Sequence, residues 1–115
     1  MSLPRITQIL ETVIGKRTAT APTATPVTVD TTSGGTALAS ANVNRLNITL
    51  QNNGTEPCII RLGGNPSINA YNIVLAEAST VRAGDGGSIT LDNYTGSIKG
   101  ITEANSTVIS VTEIV

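Results

Sequence analysis

The sequence contains no Phe, no Trp and no His, and only two Tyr, one Cys and one Met among its 115 residues. Without His there is no imidazole general base and no Ser-His or Cys-His nucleophile. With one Cys as well, Cys/His zinc sites and an intrachain disulfide are excluded. Two rings cannot furnish the stacking platforms on which proteins bind single-stranded nucleic acid. Charge is scarce too: seven basic and eight acidic residues leave a net charge of −1. Arg45, Arg61, Arg82 and Lys99 are scattered singly, so no basic stripe exists and nucleic acid is not an expected partner. No apolar run approaches the roughly 18 residues of a membrane span, and no membrane partner is expected. Residues 1–15 mix Pro, Arg, Gln and Glu with apolar residues and build no signal-peptide core. A soluble chain synthesised in a cytoplasm is the expectation. The Asn-x-Thr triplets at Asn47, Asn53, Asn93 and Asn105 are then unglycosylated features of an Asn- and Thr-rich chain.

What is present is aliphatic. A chain of this length suits one domain, which buries about 65% of its unfolded surface. The core must be assembled from Val, Ile, Leu and Ala, each burying less area than a ring. Cys58, in the apolar run Cys58-Ile59-Ile60, belongs there as a small hydrophobe.

Composition divides the chain into three parts. In residues 1–17, Ile6, Ile9, Leu10, Val13 and Ile14 fall on one face at helical spacing, with Arg5, Gln8, Glu11 and Thr12 mostly opposite. Gly15 is a stop signal, and Lys16 and Arg17 follow it. The alternative is an extended arm, because β-branched residues are frequent and three turns of helix are marginal alone. Either form carries an apolar stripe that needs a surface, in its own sheet or in a neighbouring subunit. Residues 18–35 read as an extended linker: Thr18 to Pro26 runs TATAPTATP, a short strand Val27–Val29 follows, and Thr31-Thr32-Ser33-Gly34-Gly35 makes a turn or loop.

Residues 36–115 have β texture throughout. Leu46, Ile48 and Leu50 alternate with polar neighbours, and Asn52-Asn53-Gly54 supplies a turn in which Asn-Gly takes positive φ. Pro57 to Leu62 returns as a strand with Cys58, Ile60 and Leu62 facing one way. Ile73–Leu75, Ala78–Val81, Ser88–Asp92, Tyr94–Ile101 and Thr107–Ile114 are the remaining strand candidates. Short strands with turn signals every 8–12 residues predict an all-β fold, an antiparallel β-sandwich or small barrel of jelly-roll-like form.

Nothing in this chain assembles a catalytic constellation, and no enzyme activity, metal or cofactor is expected. The carboxylates Glu11, Asp30, Glu56, Glu77, Asp85, Asp92, Glu103 and Glu113 sit largely in or beside predicted turns, where they bond local backbone. Gly84-Asp85-Gly86-Gly87 lacks the Lys-Ser/Thr ending of a phosphate loop and the spacing of a calcium loop, and reads as a hairpin connection. Tyr94 is expected at the core's edge with a wet hydroxyl, and Tyr71 and Tyr94 are the candidates for a binding hot spot.

Several segments occur in a suggestive order. Asn44-Arg45-Leu46 leads into Ile48 and Leu50-Gln51-Asn52-Asn53-Gly54, and the next strand ends in Leu62-Gly63. Gly87-Ser88-Ile89-Thr90-Leu91 and Tyr94-Thr95-Gly96-Ser97-Ile98 follow, and Ser110-Val111-Thr112-Glu113 completes the set. From residue 42 to 115 the chain resembles the small β-domain of tailed-bacteriophage minor virion proteins, among them capsid decoration (cement) and head-fibre proteins. The resemblance implies a structural protein on the outside of the virion, bound to the major capsid protein as a homotrimer, without catalytic residues. The N-terminal third lies outside it. The stripe supplies the candidate contact to the capsid or a subunit: Ile6, Ile9, Leu10, Val13 and Ile14 for apolar contact, and Arg5, Lys16 and Arg17 for an acidic surface. A second expectation, from a different class, is a receptor- or glycan-binding β-module at a fibre or tail tip, with its site around Tyr71 or Tyr94.

Overall fold

A computed structural model of the chain describes residues 22–115. The candidate contact residues Arg5, Ile6, Ile9, Leu10, Val13, Ile14, Lys16 and Arg17 therefore lie outside the described residues. The strands, in chain order, are β1 (Thr23–Val29), β2 (Thr36–Ala39), β3 (Asn47–Asn52), β4 (Cys58–Leu62), β5 (Ile73–Leu75), β6 (Ser88–Asp92), β7 (Ile98–Ile101) and β8 (Thr107–Ile114). They form two four-stranded sheets, ordered β1-β8-β3-β6 and β2-β7-β4-β5, with every neighbouring pair antiparallel. The pairings β1–β8, β2–β7, β3–β6 and β4–β5 are those of one long hairpin rolled upon itself, the jelly-roll arrangement. The all-β antiparallel sandwich expected from strand texture is the fold.

Alternation along each strand builds the core. Ile48 and Leu50 of β3 and Ile109 and Val111 of β8 point inward from the first sheet. They meet Cys58 and Ile60 of β4, Leu75 of β5, Ile98 of β7 and Leu38 of β2, with Val29 of β1 completing the cluster. None of these buried residues carries a ring, and Tyr94 packs on the cluster only from its rim. Burying each aliphatic side chain contributes about 1.5–3 kcal/mol.

Two segments differ from the sequence reading. Thr23 to Pro26, expected in the linker, already belongs to β1, where Thr23 pairs with Glu113 and Pro26 with Ser110. Its first four side chains are exposed, so no hydrophobic alternation marks it. Backbone pairing to β8 holds it, and an edge position tolerates a proline. Among the described residues the sandwich therefore includes Thr23–Val29. Ala78 to Val81 forms no strand: it lies in the loop between β5 and β6, where Ala78 N–H donates to Gly54 C=O.

Each end of the sandwich is held by a buried polar side chain. At one end Arg45, with its side chain fully covered, donates from Nε to Glu113 Oε2 at 2.8 Å. Its remaining nitrogens reach the carbonyls of Tyr94 (3.1 Å), Gly96 (2.9 Å) and Ser40 (2.6 Å). Arg45 thereby binds the β2–β3 and β6–β7 loops to β8. At the other end Asn52 is wholly buried. Its Nδ2 donates to the carbonyls of Glu56 (2.7 Å) and Leu75 (3.1 Å), and its Oδ1 accepts from Gly54 N–H (3.0 Å) and the Thr107 hydroxyl (2.6 Å). Gly54 does not use the positive φ expected of an Asn-Gly turn. It is required because a Cβ there would strike the Thr107 hydroxyl and the Val108 amide.

Candidate interaction surface

The outer faces of the two sheets differ in chemistry. On the first sheet Thr49 lies beside Thr90 and Thr112, flanked by Asn47 and Gln51, and the hydroxyls of Thr49 and Thr90 are 2.8 Å apart. The centre of this face is polar, with Asp92 and Ile114 on either side of Asn47 at one end. On the second sheet Cys58 and Ile60 point to the core, so Ile59 and Arg61 point outward. Register places Ile59 between Val74 and Ile101, and Arg61 beside Lys99. The outward face therefore carries one apolar row, Val74-Ile59-Ile101, and one basic pair.

The β4–β5 loop hydrogen-bonds the basic pair and also supplies Ile68 and Tyr71. Asn65 accepts from Arg61 Nη1 through its backbone carbonyl (3.1 Å) and from Lys99 Nζ through its side chain (2.9 Å). Ile59 and Val74 of the apolar row line a groove of about 380 Å³ in which Ile59 is buried at 5% exposed, while Ile68, Tyr71 and Val74 stand 63, 51 and 51% exposed around it. Glu56, Pro57, Glu103 and Ala104 close the groove at the end of the β3–β4 and β7–β8 loops. Glu56 is fixed there by Asn105 Nδ2, which donates to its carboxylate at 3.1 Å, and Glu103 is exposed. The arrangement can seat an apolar polypeptide segment flanked by positive charge.

Of the two tyrosines singled out in the sequence, Tyr71 lies in this groove and Tyr94 does not. The Tyr94 hydroxyl, expected to be wet, donates to Ser97 C=O at 2.8 Å. Arg45, expected among scattered surface charges, is the buried clasp described above. Asp85 precedes β6 and Asp92 ends it, so the two carboxylates do not converge. Asp85 instead accepts from Ser79 N–H (3.0 Å), and Asp30 from Thr32 N–H (2.9 Å). These hydrogen bonds hold both carboxyls below their ordinary pKa. Ile59 and Val74 were not singled out. Their signal was the unbroken apolar triplets Cys58-Ile59-Ile60 and Ile73-Val74-Leu75, in which one residue must face away from the core.

Cys58 lies on the inner face, fully buried beside Gly100. Burial pushes its thiol up to about 12, opposed only by a backbone hydrogen bond at Ile101. Above the pH near 8.5 where an unfolded thiol ionises, the unfolded chain binds fewer protons than the folded one. The Cys58 contribution to stability is therefore complete below about pH 8.5 and declines as pH rises towards 12. Urea titrations of wild type and Cys58→Ala across that range measure it, and the variant should show the shallower decline. An aromatic disulfide reagent should likewise label the thiol only after unfolding.

No protein-family model matches this chain, and no characterised protein matches it in sequence.

Proposed function

We propose that this chain is a structural, non-catalytic virion protein that binds the outside of a tailed-phage capsid as a homotrimer and stabilises it. Its partners are the major capsid protein and other copies of itself, with residues 4–17 at a capsid or subunit contact. The observation that carries this reading is the exposed apolar group Ile68, Tyr71 and Val74 standing around Ile59. The other sheet's outer face is centred on Thr49, Thr90 and Thr112, and an exposed apolar patch bounded by polar residues marks a surface that another polypeptide covers. Jelly rolls serve in viral capsid and lectin domains alike, so architecture alone does not choose between assembly and sugar binding. The ordered segments from Asn44 to Glu113 favour the virion.

A binding assay tests the reading. The full chain is mixed with expanded heads assembled from the capsid protein encoded beside it, and the heads are sedimented. Saturable binding, and a higher temperature of head disruption, are the expected results; absence of binding overturns the proposal. Deleting residues 1–21 leaves β1 whole and should weaken attachment by about a hundredfold, because many symmetric contacts are lost together. The convergence of Tyr71, Glu56 and Glu103 supports a second reading, a glycan-binding module at a fibre or tail tip. Hits on a glycan array, with impaired adsorption of phage lacking the gene, would replace the first reading with this one.

A further inference from the structure

We propose that the outer face of the second sheet is a contact between copies of this chain. In it the Glu56 and Glu103 edge of one copy meets the Arg61 and Lys99 edge of the next, and the row Val74-Ile59-Ile101 is buried between them.

Along its strands the face runs from acid through apolar to base. β4 and β7 are antiparallel neighbours, so residues before β4 and residues after β7 come to the same end. Glu56 and Glu103 lie at that end, and both line the groove with Ile59. Ile59 pairs with Ile101 in the middle, with Val74 on its other side. Arg61 pairs with Lys99 at the far end. On β7, Lys99 precedes Ile101 by two residues and Glu103 follows it by two. On β4, Arg61 follows Ile59 by two residues and Glu56 precedes it by three. Acid and base thus stand about 7–10 Å to either side of the apolar row along both strands.

This near-symmetry makes the face complementary to itself. Consider a rotation axis alongside the row, across the strands. It leaves each strand at its own level and turns the acidic edge of one copy towards the basic edge of the next. Lys99 then meets a neighbouring copy's Glu103, and Arg61 meets that copy's Glu56. The complement that the face requires is present on the face itself.

A single subunit leaves these four charges without counter-charges. Among the described residues the one ion pair joins Arg45 to Glu113. Asn65 accepts one N–H from each base and Asn105 donates one to Glu56, and both are neutral. Arg61 and Lys99 are also like charges directly opposite on neighbouring strands, an arrangement that destabilises a sheet on its own. An acidic edge from another copy relieves it. The buried apolar area supplies most of the strength of such a contact, and the opposed charges fix its orientation. The same junction closes a ring of two or three copies, according to the rotation between them. Only the number three rests on the homotrimer proposed above.

Cysteine pairs in the full chain test the junction, because Cys58 is buried and unreactive. Lys99→Cys and Glu103→Cys proteins are mixed and oxidised. The expected product is a disulfide between one copy of each variant, about tenfold more abundant than the bridged product of either variant alone. The two positions are four residues apart on extended backbone, about 10 Å or more, so a double variant cannot bridge internally. It should run as covalent multimers on a non-reducing gel. Absence of bridges while both new thiols label with maleimide overturns the proposal, as does a mixture that bridges no better than its components.

Charge exchange is an independent check. Glu103 is exposed, so Glu103→Lys should melt with wild type and still weaken self-association about tenfold in light scattering. Adding Lys99→Glu exchanges the two charges and should restore association. Undiminished association of Glu103→Lys, no recovery in the exchanged chain, or a full chain that is monomeric at every concentration overturns the junction. A trimer unchanged by Glu103→Lys would remove the junction and keep the homotrimer, whereas a charge-dependent dimer would keep the junction and remove the homotrimer.

Discussion

Arg45→Met is expected to destabilise the chain by about 3–5 kcal/mol, the cost of breaking a buried ion pair by removing one partner. The substitution preserves much of the apolar stem and removes every donor. It leaves three carbonyls, of Ser40, Tyr94 and Gly96, and the partly covered Glu113 carboxylate without the guanidinium that joins them. A domain of this size has about 5–15 kcal/mol of stability in total, so the loss is a large fraction of it. The melting temperature should fall by about 15 °C or more. Arg45→Lys should recover little, because one ammonium cannot reproduce a planar fork that bonds three loop carbonyls and a carboxylate at once. Glu113→Gln should cost much less, since the amide oxygen still accepts from Nε. A thermal melt of the three variants checks the order. A Lys variant that melts with wild type would show that charge, and not the fork, holds this end.

Asn52→Leu is the second large effect, expected at about 3–4 kcal/mol. The replacement has the same number of side-chain heavy atoms and the same branching. It orphans the Glu56 and Leu75 carbonyls, the Gly54 N–H and the Thr107 hydroxyl, and each unpaired buried group costs about 1–3 kcal/mol where water cannot reach it. The bond to Leu75 crosses from β3 in one sheet to β5 in the other, so the loss also loosens sheet-to-sheet packing. Asn52→Asp should fare no better. It is nearly isosteric, yet it surrenders both donors and turns a carboxylate towards two carbonyl oxygens. With an m-value of about 1–3 kcal/mol per molar urea, either change moves the unfolding midpoint by about 1–3 M. Thr107→Val, which removes one of the four bonds, should move it least.

Arg45, Asn52 and Gly54 each have a task at one end of the sandwich. These residues therefore speak for the fold. The proposed function rests instead on the groove, whose floor at Ile59 and wall at Val74 lie on the outward parity of their strands. That signal was present as uninterrupted apolar triplets. It became interpretable only when register set Ile59, Val74 and Ile101 side by side.

By itself the sequence determined the all-β class, the alternation that sends Ile48 and Leu50 inward, and the ring-free core. Those properties are local, because a period of two in a single strand already states which side must leave water. The tertiary structure alone decided that Thr23–Pro26 is an edge strand, that Arg45 is buried, and that Asn52 bridges two sheets. Each depends on partners distant along the chain: Tyr94 for Arg45 at 49 positions, Leu75 for Asn52 at 23 and Ser110 for Pro26 at 84. A polar side chain becomes worth burying only where folding delivers its acceptors, and an edge strand needs no apolar face when a neighbour's backbone holds it.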